Sequence, residues 1–308
     1  MLSLGWFIAG PFIYASAAVC VCGAAYKVIR LLMMPRPFRW DLYPLPHRGP
    51  AGSKYQKVDF GKQKAESFPL HELKEMAEEI LFIKRLFTNN LRMWLGSYAM
   101  HCGLYIGVLW IALLIIGAII QISGIALNPA VIRSVNFATV AAGAAALVFG
   151  LAGSLYLFAN RLIDPDLRTM SDAASFVNLS LMIAMFAAGL AAWLGADRSF
   201  SGLQNLTAGL ITLKPPAPHH PLITIELFFF GLFLIYLPFS RMLHFAAKYF
   251  FYHNIMWDDE AMRPGSRLEQ ERLKELSYRP QWSASHITAG GSWFDQVTGE
   301  KPQGDKKS

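Results

Sequence analysis

Two histidines within apolar stretches are the residues of this sequence best suited to chemistry. His101 and His244 each lie in a segment that otherwise contains few ionisable side chains. Such a side chain is expensive to place in a membrane, and its presence there indicates a functional site. Two neutral imidazoles that face each other across a helix bundle suit the axial positions of a b-type haem. The alternative is a pair of histidines that hydrogen-bond within the bundle.

Two charged residues accompany these histidines. Arg241 lies one helical turn before His244, where it could bind a haem propionate or extend its charged end to the membrane surface. Glu226 is the only acid within the apolar stretches. A buried carboxylate there could accept the proton that is released when a quinol is oxidised. The alternative is that Glu226 lies near the outer membrane surface and is solvated.

The apolar segments are long enough to cross a membrane. Of the 308 residues, 54% are apolar and 16% are charged, and the apolar excess is concentrated in blocks. About 20 apolar helical residues cross a hydrocarbon core of about 30 Å. Asn128-Pro129 is a turn signal that divides the longest block. The sequence therefore predicts five membrane helices, at about 4–26, 94–121, 131–158, 173–195 and 222–247. The shorter stretch Ser199–Leu213 is predicted to be interfacial or re-entrant.

The positions of lysine and arginine predict the orientation of the chain. The connection from Pro35 to Arg92 contains eleven basic residues, whereas the segment before the first helix contains none. Because basic loops stay in the cytoplasm, the N-terminus is predicted to lie outside and the C-terminus inside. The predicted fold is an all-α, five-helix bundle in the cytoplasmic membrane. The net charge of +7 follows from this bias and requires no nucleic acid.

Four regions follow from this topology. Residues 1–33 form the first transmembrane helix, and 93–250 form the four-helix region that would bear haem. The cytoplasmic connection 34–92 begins with five prolines, and its periodicity then predicts an amphipathic helix from about Pro69 to Phe87. That helix would lie on the membrane surface or dock a peripheral subunit. The tail 251–308, with a polar helix around Ser266–Leu276, has too little apolar material for its own core and is predicted to bind a partner.

Two runs of residues carry a resemblance to a known family. Leu237-Pro-Phe-Ser-Arg-Met-Leu-His244 and Tyr98-Ala-Met-His-Cys-Gly-Leu-Tyr105 resemble the haem-bearing segments of the respiratory nitrate reductase gamma-subunit family, membrane cytochromes b. Three other runs are similar to the branch that serves heterodisulfide-reductase-like (Tmc-type or Dsr-type) complexes of sulfate reducers. They are Arg39-Trp-Asp-Leu-Tyr-Pro-Leu-Pro-His47, Glu79-Ile-Leu-Phe-Ile-Lys-Arg-Leu-Phe87 and Trp282-Ser-Ala-Ser-His286.

The resemblance implies electron transfer between a membrane quinone pool, with menaquinone or its quinol as substrate, and a cytoplasmic iron–sulfur subunit. It implies that His101 and His244 ligate the haem. The iron–sulfur subunit would dock on 34–92 and 251–308, with other membrane or periplasmic redox subunits as further partners. The chain would then be an electron-transfer subunit, and we expect no complete enzyme activity from it alone.

The sequence departs from the two-haem members of that family at both positions of the second ligand pair. Those members have a histidine ten residues after the first ligand and another eighteen residues before the last. Here the two positions hold Ile111 and Glu226, and isoleucine cannot ligate iron. His219 and His220 lie in a proline-flanked loop and are poor substitutes. The sequence therefore predicts one b-type haem.

Two other functions remain open from the sequence. A haem-free membrane anchor or assembly subunit would use the two histidines only as hydrogen-bonding groups. A small transporter is disfavoured, because the predicted spans contain one acid and lack a pair of helices broken by glycine or proline.

Overall fold

The computed structural model describes residues 3–33, 69–125, 128–246 and 264–299. The chain divides into two compact units, one made of Met1–Lys27 and Ala77–Phe245, the other of Val28–Met76 and Ala246–Ser308. The described helices are α1 (Leu4–Leu32), α2 (Pro69–Phe82), α3 (Lys84–Asn89), α4 (Leu91–Ser123), α5 (Pro129–Ile163), α6 (Pro165–Thr169), α7 (Ala173–Gly195), α8 (Ser201–Ile211), α9 (Pro221–Tyr236), α10 (Arg267–Leu276) and α11 (Trp293–Thr298). The described residues form no sheet, and their single bridge joins Ala284 to Ile287.

Within these ranges, five helices are long and apolar enough to cross a membrane. They are α1, α4, α5, α7 and the segment Pro221–Phe239, which contains α9. Many of their large apolar side chains are exposed in the isolated chain, as lipid-facing side chains are. The prediction of an all-α membrane bundle with five spans is confirmed, and the chain is a multi-pass membrane protein.

Capping side chains define where the membrane helices begin. The Asn90 side chain accepts a hydrogen bond from the Met93 N–H at 2.9 Å, and α4 starts at the next residue. Asn128 accepts from the Ala130 N–H at 2.8 Å, with Pro129 at the first position of α5. Polar caps of this kind satisfy N–H groups that have no partner within the helix.

Glycines allow α4 and α5 to pack at very close range. A Cβ atom on Gly103 would collide with the backbone N and Cα atoms of Gly150. A Cβ atom on Gly153 would collide with the backbone of Met100. Small residues let membrane helices approach in this way. The contact fixes the part of α4 that carries His101.

The prediction of one continuous last helix over 222–247 is wrong. Helix α9 ends at Tyr236 and is followed by two short 3-10 turns, Leu237–Phe239 and Arg241–Leu243, before residues 244–246 become helical. Pro238 has no N–H to continue an α-helix. Ser240 is extended, with φ −100° and ψ 173°, and its side chain accepts from the Met242 N–H. His244 therefore stands on a new turn, after a break in the last span.

The stretch Ser199–Leu213 contains α8, a helix of 11 residues. It is too short to count among the five spans, in agreement with the prediction that it does not cross the membrane. Phe200 precedes it in the left-handed conformation, with φ 57°. Its apolar side chains Leu203 and Leu206 are buried in the core, and so α8 folds back onto the bundle.

The extramembrane predictions are met in part. The helix expected from Pro69 to Phe87 is interrupted at Ile83, which adopts a left-handed conformation with φ 52° and separates α2 from α3. The polar helix expected around Ser266–Leu276 is present as α10, which Ser266 caps. The proline-rich stretch 35–50, the run 39–47 and the residues around Trp257 lie outside the described residues.

Candidate functional site

The unit made of Met1–Lys27 and Ala77–Phe245, which we call the membrane unit, brings the two predicted histidines together at one end. We call this end the histidine end. The ring centroids of His101 and His244 are 6.2 Å apart, and the ring planes make an angle of 77°. His101 is half-buried on α4, whereas His244 is exposed on the turn after the break in the last span. The two residues are far apart in the chain, and their contact is a product of the bundle.

Hydrogen bonds to the backbone fix which nitrogen of each ring carries the proton. The Nδ1 atom of His101 lies 2.7 Å from the Ser97 carbonyl oxygen, and the Nδ1 atom of His244 lies 3.1 Å from the Arg241 carbonyl oxygen. A carbonyl oxygen only accepts, and therefore each Nδ1 must donate. In a neutral imidazole this leaves Nε2 with a free lone pair. Histidines that ligate metals commonly have this arrangement.

The spacing of the two rings fits ligation of one metal atom between them. A bond from a metal to an imidazole nitrogen is about 2 Å long, and the ring centroid lies roughly 1 Å further on, so two rings on opposite sides of the metal have centroids about 6 Å apart. The observed 6.2 Å agrees with this separation. Two imidazole nitrogens at this spacing could hold a haem, whose iron takes its remaining ligands from the porphyrin.

Arg241, expected to bind a propionate, has a protein partner. Its Nη2 atom donates to the Oδ2 atom of Asp172, the residue that caps α7. The hydroxyl and backbone N–H of Ser175, followed by Arg241, hold the pKa of Asp172 below its usual value. The ion pair ties the turn before His244 to the start of α7. A propionate would have to share this guanidinium with Asp172.

Aromatic side chains of α4 fasten α2 beside the histidine end. The Trp94 Nε1–H donates to the Phe82 carbonyl oxygen at 2.7 Å, and the Tyr105 hydroxyl donates to the Ile80 carbonyl oxygen at 2.6 Å. The rings of Trp94 and Tyr98 stack with centroids 4.6 Å apart. The Tyr105 ring also lies 6.1 Å from that of His101, so the residue that holds Ile80 also flanks His101.

The opposite end of the membrane unit, which we call the carboxylate end, contains Glu226. Its side chain is 8% exposed, and its Oε1 atom lies 3.3 Å from the point where a Cβ on Gly189 would stand. Burial of this degree does not fit the alternative of a carboxylate solvated at the membrane surface. A buried carboxyl group is costly in its charged form, so it is suited to holding a proton.

A second buried acid, Asp197, lies near Glu226 and was missed by sequence reasoning. It is 6% exposed and interacts electrostatically with Glu226. Its Oδ2 atom accepts from the Leu203 N–H at 3.0 Å, and its Oδ1 atom accepts from the hydroxyls of Ser199 and Ser201, each at 3.4 Å. The residue lies outside the predicted spans, where no acid was considered unusual. The available signal was an acidic and serine-rich run before a helical pattern, which is typical of a helix start.

The two loop histidines have local contacts at the carboxylate end. His220 caps α9, because its Nδ1 atom accepts from the Leu222 N–H at 3.2 Å. The side chains of His219 and Asp197 both lie against Gly202. A Cβ on Gly202 would stand 2.6 Å from the Cε1 atom of His219 and 2.9 Å from the Oδ2 atom of Asp197.

A cleft with a volume of about 380 Å³ opens between α5 and the start of α8. It is lined mostly by uncharged polar side chains, with two apolar ones: Asn136, Phe137, Val140, Ser199, Ser201, Gln204 and Asn205. Two of these, Ser199 and Ser201, also donate to Asp197. The cleft is therefore continuous with the carboxylate end through hydroxyl groups. It was not foreseen from the sequence, because its walls come from helices that are distant in the chain.

Comparison with known proteins does not assign a family to the chain. No family model matches it, and no curated sequence matches it. The resemblance to the nitrate reductase gamma-subunit family therefore stays a prediction that is based on the residues quoted above.

Proposed function

We propose that this chain is the membrane cytochrome b subunit of a quinone-linked redox complex of the cytoplasmic membrane, with one b-type haem held by His101 and His244. The observation that carries the proposal is the histidine pair, with centroids 6.2 Å apart and each Nδ1 bonded to a backbone carbonyl oxygen. When bound, the haem would supply one-electron chemistry at this end of the bundle.

The chain's own residues would hold and orient the two histidines that bind the haem. The Ser97 and Arg241 carbonyl oxygens accept from the Nδ1–H groups, which prevents rotation of the rings and makes each Nε2 a better donor to iron. The close glycine contact between α4 and α5 fixes the helix that carries His101. The pair of Arg241 and Asp172 holds the turn that precedes His244.

The carboxylate end would serve the quinol. Oxidation of a quinol releases protons as well as electrons, and Glu226 in its charged form would accept one of these protons. The cleft beside Asp197 offers amide and hydroxyl groups for a neutral ring and an open side lined by Phe137 for an apolar tail. These properties favour the cleft as the place where a quinol head group binds.

Partner binding is proposed for the parts outside the membrane. Helix α2 exposes Leu70 and Leu73, and the described part of the tail exposes Trp282, Phe294 and Val297. Exposed apolar and aromatic side chains of this kind are typical of protein interfaces. They support docking of a cytoplasmic iron–sulfur subunit of the heterodisulfide-reductase-like type on 34–92 and 251–308.

An optical spectrum of the purified protein tests the proposal directly. We expect the dithionite-reduced minus oxidised spectrum to show the alpha band of a b-type haem. Haem extraction should give one haem per chain, and two per chain would overturn the single-haem proposal. A purified, folded protein that shows no such band, even after haem is added during expression, would favour the haem-free anchor.

A further inference from the structure

The first membrane helix places a lysine ammonium group at the break in the last span. The Lys27 Nζ atom donates to the carbonyl oxygens of Pro238 at 3.2 Å and of Ser240 at 3.4 Å. One turn earlier, a Cβ on Gly23 would stand 2.9 Å from the Cβ and Cγ atoms of Pro238. The backbone of α1 therefore passes directly against the break, and Lys27 is the residue that reaches into it.

The break has removed the α-helical donors of both carbonyl groups. The 3-10 turn Arg241–Leu243 replaces the donor of the Ser240 oxygen, whereas the described backbone offers no replacement to the Pro238 oxygen. In an α-helix, the Pro238 oxygen would accept from the Met242 N–H, but that N–H donates to the Ser240 hydroxyl oxygen at 3.1 Å. The Ser240 oxygen would accept from the His244 N–H, which instead donates to the Arg241 oxygen. Carbonyl groups without donors are costly within a membrane. Lys27 supplies donors to both.

The same turn determines where His244 points. The Ser240 side chain caps the turn Arg241–Leu243, and the His244 ring is held by the Arg241 oxygen. We infer that Lys27 is a positioning residue, whose ammonium group holds the broken segment so that His244 faces His101. This inference rests on the proposed function for the haem-related part of its role. A positive charge bound at Ser240, four residues before His244, would also favour the reduced state of a bound haem and raise its reduction potential.

The test compares three variants of the full-length protein in lipid nanodiscs. Lys27→Met removes the charge and the donors at nearly the same length, Lys27→Arg keeps both, and Arg30→Met removes an exposed charge from the same helix. Hydrogen–deuterium exchange of residues 237–246 measures how often the backbone hydrogen bonds of this segment open. Optical spectra and redox titration measure the ligation and the potential of the haem.

We expect Lys27→Met to speed exchange over 237–246 about tenfold or more, since hydrogen bonds to charged groups are among the stronger ones. It should also lower the reduction potential or the fraction of haem with two histidine ligands. Lys27→Arg should keep the exchange rate and the haem properties of the wild type, and Arg30→Met should change neither of them. Unchanged exchange in Lys27→Met would overturn the inference. Faster exchange with an unchanged spectrum and potential would overturn the positioning role.

The experiment also separates two other results: a Lys27→Met variant that does not accumulate, and a wild-type protein that contains no haem. If Lys27→Met does not accumulate, Lys27→Gln retains a donor without the charge and should lower the potential while the haem stays bound. Wild-type protein without haem would overturn the proposed function, whereas the exchange comparison would still decide whether Lys27 holds the segment.

Discussion

The two ends of the membrane unit are built from different chemical groups. The histidine end presents two imidazoles, each with Nδ1 bonded to a carbonyl oxygen and Nε2 free. The carboxylate end presents two buried acids, Glu226 and Asp197, and Asp197 accepts from two hydroxyl groups of a cleft that amide, hydroxyl and two apolar side chains line. The first set suits a metal-bound group, and the second suits proton transfer and binding of a neutral polar ring. The difference teaches that one bundle can place two chemically distinct sets of groups at its two ends.

The ends also differ in what holds them together. The histidine end depends on a glycine contact between α4 and α5 and on a broken helix that Lys27 and Arg241 secure. The carboxylate end depends on side chains that accept from N–H groups in the first turn of a helix, such as Asp197 for α8 and His220 for α9. Substitutions at the two ends should therefore have different effects, and each effect can be measured.

The largest expected effect is the loss of haem from the histidine end. His101→Ala and His244→Ala each remove an axial ligand, and each should abolish the alpha band of the b-type haem. His219→Ala, at the carboxylate end, is the matched control and should retain the band at wild-type intensity. Reduced minus oxidised spectra of the three purified variants measure the effect. A full alpha band in His101→Ala or in His244→Ala would show that the substituted histidine does not ligate the haem, and the histidine end would lose its proposed role.

The second effect concerns proton transfer at the carboxylate end. Glu226→Gln keeps the shape of the side chain but cannot accept a proton, and general acid–base catalysis typically contributes a factor of about 10² or more. We expect quinol oxidation by the variant to slow by about this factor and its pH profile to change, while the haem band stays. Stopped-flow measurement of haem reduction by a soluble quinol, over a pH series, gives both quantities, because the oxidised haem is the electron acceptor.

Asp166→Asn is a control for loss of an acid, because Asp166 is exposed on α6. It should leave the rate and the pH profile of quinol oxidation as in the wild type. If Glu226→Gln behaves like this control, Glu226 has no part in the reaction and the carboxylate end loses its proposed role.

Sequence reasoning located the helices well because lipid imposes a simple requirement. A span must be long, apolar and helical, and the charge-free blocks of this sequence meet that requirement directly. The two histidines were found for the same reason, since they stand out in those blocks. What the blocks do not show is where a span breaks. Apolar residues continue past Pro238 to Phe245, and hydropathy alone therefore extended the last helix to residue 247, although the proline was a visible signal.

The remainder of the candidate site depends on tertiary contacts. Asp197 is polar and lies between spans, and it is buried only because α8 folds back over it. Lys27 is one basic residue near the end of an apolar helix, and its local sequence does not distinguish it from other basic residues at helix ends. Its bonds to Pro238 and Ser240 join residues that are more than two hundred positions apart. No local pattern predicts such a contact.

The third effect tests the packing that supports the histidine end. Gly103→Ala would drive a methyl group into the backbone of Gly150, which cannot move away as a flexible side chain could. Overpacking typically costs about 1–3 kcal/mol, and a clash with backbone belongs at the upper end of that range. Gly107→Ala, one turn later, is the control, because its new Cβ would meet only the Ala146 Cβ at 3.9 Å.

Thermal unfolding in nanodiscs and the haem content of the purified variants measure this difference. We expect a lower unfolding midpoint and less haem for Gly103→Ala, and values close to wild type for Gly107→Ala. Equal midpoints for the two variants would show that the close approach of α4 and α5 does not support the histidine end.

The smallest expected effect lies at the polar edge of the histidine end, in the pairing of Asp172 with Arg241. The pKa of Asp172 is held below its usual value, first by Ser175 and then by Arg241. A lowered pKa in the folded state means that the charged carboxylate stabilises the fold above the unfolded pKa of about 4, and that this contribution disappears as the pH falls through the folded pKa. Asp172→Asn should therefore lower the unfolding midpoint slightly at pH 7, and the difference from wild type should vanish below about pH 3. Arg241→Gln should lower it less, because the contacts with Ser175 remain. A difference between Asp172→Asn and wild type that is constant from pH 3 to pH 7 would show that the charge of Asp172 does not act at this edge.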